Sequence, residues 1–167
     1  MLAVVAAFAL PLIASPTARA EGKIGFVNTE RIMRDSVPAQ RAQKRIESEF
    51  MKRDQDLSRM AEQLRRLQED LEKNAMTMPE SQRRAREREL TELDRDFQRR
   101  RREFQEDLNQ RRNEELAHVL EQANRAIRQI AEQEKYDIIF QDAVYANPRV
   151  DITDKVLKAL EGKPAAR

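Results

Sequence analysis

Phe50-Met51-Lys52-Arg53-Asp54-Gln55-Asp56-Leu57-Ser58-Arg59-Met60-Ala61-Glu62-Gln63-Leu64 and Leu90-Thr91-Glu92-Leu93-Asp94-Arg95-Asp96-Phe97-Gln98-Arg99-Arg100-Arg101-Arg102-Glu103-Phe104 carry their large apolar residues in mirrored order. Leu64 answers Leu90, Met60 answers Leu93, Leu57 answers Phe97 and Phe50 answers Phe104; further out, Ile46 answers Leu108, each pair of numbers adding to about 154. A long helix that turns near Thr77 and packs back along itself has this pattern. On the first arm Phe50, Leu57, Leu64 and Leu71 recur every seven residues, with Met60 and Leu67 three residues after an "a" position, which is the narrow a/d spacing of a coiled coil. Asn74 to Pro79 interrupts the repeat, and proline is tolerated in the first turn of a new helix, not inside an old one. The predicted feature is a protruding antiparallel rod.

Of 167 residues 37% are charged and 5% aromatic, too polar a mixture for one compact core and the composition of long solvated helices. A disordered polyampholyte would share that composition, but it would not sustain heptads or paired apolar positions. Residues 1–20 differ from the rest: an apolar run from Leu2 to Ile13, then Ser15, Pro16 and an Ala18-Arg19-Ala20 ending, read as a signal peptide with the mature chain starting at Glu21. No Lys or Arg precedes the run, the one feature of a signal peptide that the given residues lack. The run, broken by Pro11, is well short of the roughly 20 residues that span a bilayer. Cysteine is absent, which excludes disulfides, thiol chemistry and a lipidated N-terminal cysteine.

The chain looks basic by eye around Arg83, Arg84, Arg86, Arg88 and Arg99 to Arg102, yet it holds 32 basic against 30 acidic residues, and loss of Arg19 with the leader leaves 31. These arginines sit among Glu87, Glu89, Asp94, Asp96 and Glu103, so a solvated, ion-paired face is expected and a nucleic-acid footprint is not.

Lys23 to Asn28 reads as a short strand, and Thr29 as the cap of a brief helix to about Asp35. Pro38 opens the first arm, which runs to Ala75, about 57 Å at 1.5 Å per residue. The second helix starts near Pro79 and keeps helical spacing through Leu116, Leu120, Ala123, Ile127 and Ile130 to about Lys135. Its surplus, Ala117 to Glu134, has no partner in the hairpin and must pack elsewhere. Strands are predicted at Tyr136 to Gln141 and Ala143 to Ala146 with a hairpin turn at Gln141-Asp142, then a last helix to about Leu160 capped by Thr153 or Asp151. The predicted class is α+β, mostly α. Its units are the leader (1–20), a discontinuous body (21–37 and 117–167) and an inserted hairpin (38–116). A body of under 70 residues with unpaired strand edges and no disulfide calls for oligomerisation, through Ile24, Phe26, Val27, Ile138, Phe140 and Val144.

No site for chemistry is expected: no catalytic, cofactor or metal residue. His118 is the only histidine and has no cysteine beside it, and Gly22, Gly25 and Gly162 are too few and too scattered for a phosphate loop. The carboxylates fall into i,i+4 pairs, Glu49 with Arg53, Glu62 with Arg66, Glu69 with Lys73, Glu80 with Arg84, Asp96 with Arg100 and Glu121 with Arg125. A two-helix rod offers no cleft that would tune an acid or base, so the chain is read as no enzyme.

Three features of the hairpin stand out. At the tip Leu67, Leu71, Met76 and Met78 face Pro79 to Glu89, where Ala85 is the only hydrophobic residue, beside Arg83, Arg84, Arg86 and Arg88; this is either an ordinary loose turn or an adaptable contact surface for apolar partners. Arg53 and Arg100 both fall at "d" positions at one level, reach for Asp54, Asp96 or Glu103, and make a candidate flex point. Asn109 to Glu115, with no apolar residue opposite Ala39 and Ala42, is a second.

The leader, Lys-Ile-Gly-Phe-Val-Asn at 23 to 28, Pro38, Tyr136-Asp137, and Asn147-Pro148-Arg149-Val150-Asp151-Ile152-Thr153-Asp154 together resemble the Skp (OmpH-like) periplasmic chaperone family over nearly all of the mature chain. The resemblance implies a homotrimer with a small β-barrel body and three arms enclosing a cavity, in the periplasm. It also implies the holding of unfolded outer-membrane β-barrel proteins without ATP. Transient contact with a membrane surface is a further expectation. This chain departs from the markedly basic relatives in being nearly neutral, so no lipopolysaccharide site is carried over. A tethering coiled coil is the alternative function, and a histone-like nucleic-acid binder a more distant one.

Overall fold

The computed structural model describes residues 22–162; the expected leader lies outside them. The order is β1 (Ile24–Phe26), α1 (Thr29–Asp35), α2 (Val37–Asn74), α3 (Glu80–Glu134), β2 (Ile138–Phe140) and α4 (Thr153–Glu161). Helix α1 is capped by Asn28, one residue before the expected Thr29, because the Asn28 side chain accepts from the Arg31 N–H at 2.8 Å. Ser36, buried, caps α2 through the Ala39 N–H, and Pro38 sits in the first turn, where its missing N–H costs nothing.

Helices α2 and α3 lie along each other. The Phe50 and Phe104 rings meet edge to face, centroids 5.5 Å apart, while Arg53 reaches Asp107 at 2.7 Å, Arg111 reaches Glu49 at 3.0 Å and Arg45 reaches Glu115 at 3.1 Å. As the numbers rise on α2 they fall on α3, so the two helices run in opposite directions. The turn between them, residues 75–79, closes with the Thr77 and Met78 N–H groups donating to the Asn74 carbonyl at 3.0 and 2.9 Å.

The surplus of α3 becomes one wall of a small core. Ala123, Ala126 and Ile130 pack with Val27, Ile32, Ile152, Val156 and Leu160, and Ile127, Tyr136, Ile139 and Leu157 close in around them. Helix α3 stops at Lys135, whose φ of 60° is left-handed and turns the chain back toward β1. There β2 pairs with β1 in parallel, Ile24 to Ile138 and Phe26 to Phe140. On its other side Phe26 bonds the last loop: its N–H donates to the Val150 carbonyl (2.8 Å) and its carbonyl accepts from Ile152 (2.9 Å). Gly25 is buried between Ile139 and Tyr136, and a Cβ there would lie 3.2 Å from both.

The expected hairpin of 136–141 with 143–146 is corrected. Among the described residues 143–146 carries no strand, Val144 is fully exposed, and no turn at Gln141-Asp142 returns β2 on itself. Strand β2 pairs instead with β1, to which α3 carries it, a parallel pairing that needs such a helical crossover, and among the described residues no strand lies on its other edge. Of the expected body residues Val27 is fully buried and Phe26 half-buried, whereas Ile24, Ile138 and Phe140 are each about half exposed.

One side chain ties the pieces of the body together. Thr153, with no exposed surface, accepts the Asn28 N–H at 2.9 Å and donates to Asp151 Oδ1 at 2.5 Å; that same oxygen takes the Thr153 N–H at 2.8 Å and so serves the first turn of α4. Thr153→Val keeps the shape and deletes the hydroxyl, leaving the Asn28 N–H without its acceptor. The expected cost is about 1–3 kcal/mol, read as a lower urea midpoint at unchanged m value, with the helix content of the hairpin retained.

Candidate functional site

The surface that distinguishes this chain is the hairpin, from its root in the body to its tip. At the root the segment 109–115, expected to flex, is instead fastened. Glu115 is only 4% exposed; it accepts from Arg45 through both oxygens and forms an ion pair with Arg111 at 2.9 Å, and Arg111 also holds Glu49 and, at 3.1 Å, Glu114. The Arg45 hydrogen bond holds the Glu115 carboxyl below the ordinary carboxylate range although burial pushes it up. The segment lacks apolar residues because a buried carboxylate between two arginines fills the place that a leucine fills elsewhere. Sequence reading missed Glu115, yet it lies four residues before buried Val119, at a seam position of α3, and that phase was the available signal.

Above the root, Arg53 and Arg100 line one cleft of about 130 Å³ with Asp56, Leu57, Met60, Glu103 and Phe104. Arg53 bonds Asp107 across the hairpin, and its guanidinium lies 5.6 Å from the Phe50 ring centroid and 5.8 Å from that of Phe104; Arg100 bonds Asp96 on its own helix at 2.8 Å. Both side chains are exposed, so the charges leave the seam and the space beneath them is incompletely filled. Arg53 takes Asp107 where Asp54, Asp96 or Glu103 was expected. Of the six expected i,i+4 ion pairs five form, and the sixth, Glu49 with Arg53, is rerouted across the hairpin to Arg111 and Asp107.

At the tip Met76 is fully exposed, and Met78 and Leu71 are half-buried. Leu67 is a correction: it is 9% exposed and lines a groove with Leu93. The cross-helix ion pairs have numbers adding to 160, whereas Phe50 and Phe104 add to 154. The register therefore centres between these values, and Leu67 comes opposite the Leu90–Leu93 turn instead of the Glu87 that a mirror about Thr77 assigns. Arg83 pairs with Glu87, Arg84 with Glu80 and Arg86 with Glu89, each within α3; Arg88 has no ion-pair partner among the described residues.

Elsewhere Met51 on α2 and Leu116 on α3 are exposed, and the other exposed large apolar side chains among the described residues lie on the body: Ile24, Ile138 and Phe140 on the sheet, then Val144 and Tyr145 in the following loop. His118 is exposed on α3 beside Glu114. Among the described residues no cluster of three His, Asp or Glu is placed to hold a metal ion, and no helix is long and apolar enough to cross a membrane.

Fold and surface define a class: a small mixed body continuous with one long helical hairpin, whose surface carries ion pairs and exposed apolar side chains. Residues 23–160 match the family described as Outer membrane protein (OmpH-like), and the chain belongs to that family. It is 31% identical over 158 residues to the chaperone protein Skp of Photorhabdus luminescens and 30% identical over 158 to that of Yersinia enterocolitica, in each case covering 93% of this chain and 96% of the relative. A crystal structure described as an OmpH-like outer membrane chaperone from Caulobacter crescentus has the same fold, with a TM-score of 0.73 at 17% identity, covering 99% of this chain and 94% of that one.

The buried carboxylate at the root yields a test with a definite sign. A depressed folded-state pKa means that the stabilisation from Glu115 is complete above the unfolded value, about 4.3 for glutamate, and is lost as pH falls through the folded value. Glu115→Gln should cost about 1–3 kcal/mol near neutral pH. The gap between variant and parent, followed by thermal melts, should stay constant down to about pH 5 and shrink below about pH 4.

Proposed function

We propose that this protein is a holdase chaperone of the periplasm, one that binds unfolded outer-membrane β-barrel proteins without ATP and prevents their aggregation. The observation that carries the reading is the hairpin: two long helices whose apolar seam is only partly covered and whose tip holds fully exposed Met76, on a chain of the OmpH-like family. The relatives named as chaperones over 93% of the chain support it. Residues 1–20 serve as the export signal. Residues 21–37 and 117–167 form the oligomerisation body, and 38–116 the arm.

The body assembles as a homotrimer in which strands of three copies close a small β-barrel, since a three-residue β1 and β2 leave Ile24, Ile138, Phe140 and Val144 uncovered in one copy. Three arms then surround one client, and several weak apolar contacts joined in one assembly give tight but reversible holding through effective concentration. Leu71, Met76 and Met78 supply adaptable apolar contact, and the arginines beside them long-range attraction. The Arg53–Arg100 layer is the flex point of each arm. Holding needs neither cofactor nor catalytic group.

Light scattering during dilution of a urea-unfolded outer-membrane β-barrel protein tests the reading: suppression at stoichiometric protein supports it, and aggregation undiminished by a folded oligomer would move the chain to the tethering coiled coils. Replacing residues 39–115 by a short linker should leave an oligomer by mass in solution yet abolish suppression. Met76→Ser with Met78→Ser should preserve helix content and weaken client affinity by about tenfold, the equivalent of roughly 1.4 kcal/mol of lost apolar contact.

A further inference from the structure

Polar bonds between α2 and α3 stop abruptly. From Arg45–Glu115 through Glu49–Arg111 to Arg53–Asp107 the two helices are fastened to each other. Tipward of Arg53 and Asp107, every ion pair among the described residues lies within a single helix. Packing changes at the same level. Rootward, Ala42, Ile46, Phe50, Glu115 and Val119 are all buried and Leu108 half-buried; tipward, only Leu67 is buried, and Leu57, Met60, Leu64, Leu90, Leu93 and Phe97 are half-buried. The incompletely filled cleft under Arg53 and Arg100 sits at the boundary.

Each outer helix, in turn, supports itself. Glu62 holds Arg65 and Arg66, and Glu69 holds Arg65 and Lys73; on α3 Arg83, Arg84 and Arg86 have carboxylates three or four residues away, as do Arg99 and Arg100. Such pairs stabilise a helix without reference to a neighbour. Parting the outer helices therefore breaks no ion pair and, Leu67 apart, uncovers side chains that are only half-buried.

We propose that the hairpin is two mechanical units, an ion-clamped root and an outer arm beyond Arg53 and Asp107 whose helices part transiently, and that the seam so uncovered takes the apolar segments of an unfolded polypeptide. The proposal rests on the holdase reading and deepens it: beside the tip, the client surface is the seam itself, which is only partly covered when no client is present. An apolar strand entering between the helices meets Leu57, Met60, Leu64, Leu90, Leu93 and Phe97 on facing walls, and gains the burial that the closed seam leaves incomplete.

The cysteine-free chain allows a direct test. Gln63→Cys with Glu89→Cys places two thiols on the walls of one outer groove, and Lys52→Cys with Gln110→Cys places two near the root. Spin-labelled and diluted with unlabelled protein, the outer pair should give a broad or two-peaked distance distribution and the root pair a narrow one; equally narrow distributions overturn the proposal. Bridging the outer pair with a short bis-maleimide should lower client affinity by about tenfold or more relative to the same variant capped with N-ethylmaleimide, because the competent state is removed. Equal affinity of the bridged and capped forms also overturns it. A parent chain that holds no client defeats the holdase reading instead, and the spin-label distances still decide whether the arm opens.

Discussion

Two helices laid side by side share a single interface, and that constraint runs through the whole molecule. An a/d seam uses a narrow stripe of each helix, so most of the surface of α2 and α3 faces water and must be made soluble by charge. The ion pairs that do this lie along each helix, three or four residues apart, because a side chain on the solvent face has no opposite helix to reach. Only at the root are arginine and glutamate close enough to cross the gap, and there the result is a buried carboxylate held by Arg45 and Arg111. A hairpin with one thin seam is fastened where its charges cross and soft where they do not.

The body depends on the same helix. Since α3 outruns α2 by nearly its last twenty residues, Ala123, Ala126 and Ile130 are left to form a wall, and β1, α1, the last loop and α4 pack on it. The small alanines let the last helix approach closely, and Val156 and Leu160 fill the space. Thr153 and Asp151 then stitch the last loop to the start of the chain, which makes residues more than a hundred positions apart one unit. That unit is too small to cover its own sheet, and its uncovered Ile24, Ile138 and Phe140 lie on the strands that define it.

Much of the hairpin was legible residue by residue. Pro38, Asn74 and Pro79 mark helix ends through local backbone sterics, and the structure sets α2 at Val37–Asn74 and α3 at Glu80–Glu134 accordingly. The tip was legible only in part. Met76 is as exposed as its lack of a partner implied, but Leu67 is covered, because a mirror drawn through the turn misjudges the register by about three residues. Asn109 to Glu115 was read as a flex point because it has no apolar residue; the two arginines that hold Glu115 come from different places, one of them seventy residues away. Residues 143–146 were read as a strand from their composition, and composition does not say that β2 takes its partner from β1, more than a hundred positions away.

By itself, then, the sequence determined what local chemistry determines: helix ends through proline and capping side chains, the seam through seven-residue spacing, and the solvated faces through i,i+4 charge pairs. The tertiary structure alone decided the register of α2 on α3, the burial of Glu115, the parallel pairing of β1 with β2 and the place where cross-helix bonds end. Each of these depends on which atoms from distant parts of the chain come within a few ångströms of one another. A periodicity of seven leaves that distance open by a fraction of a turn, and a fraction of a turn separates a leucine facing water from one facing its partner.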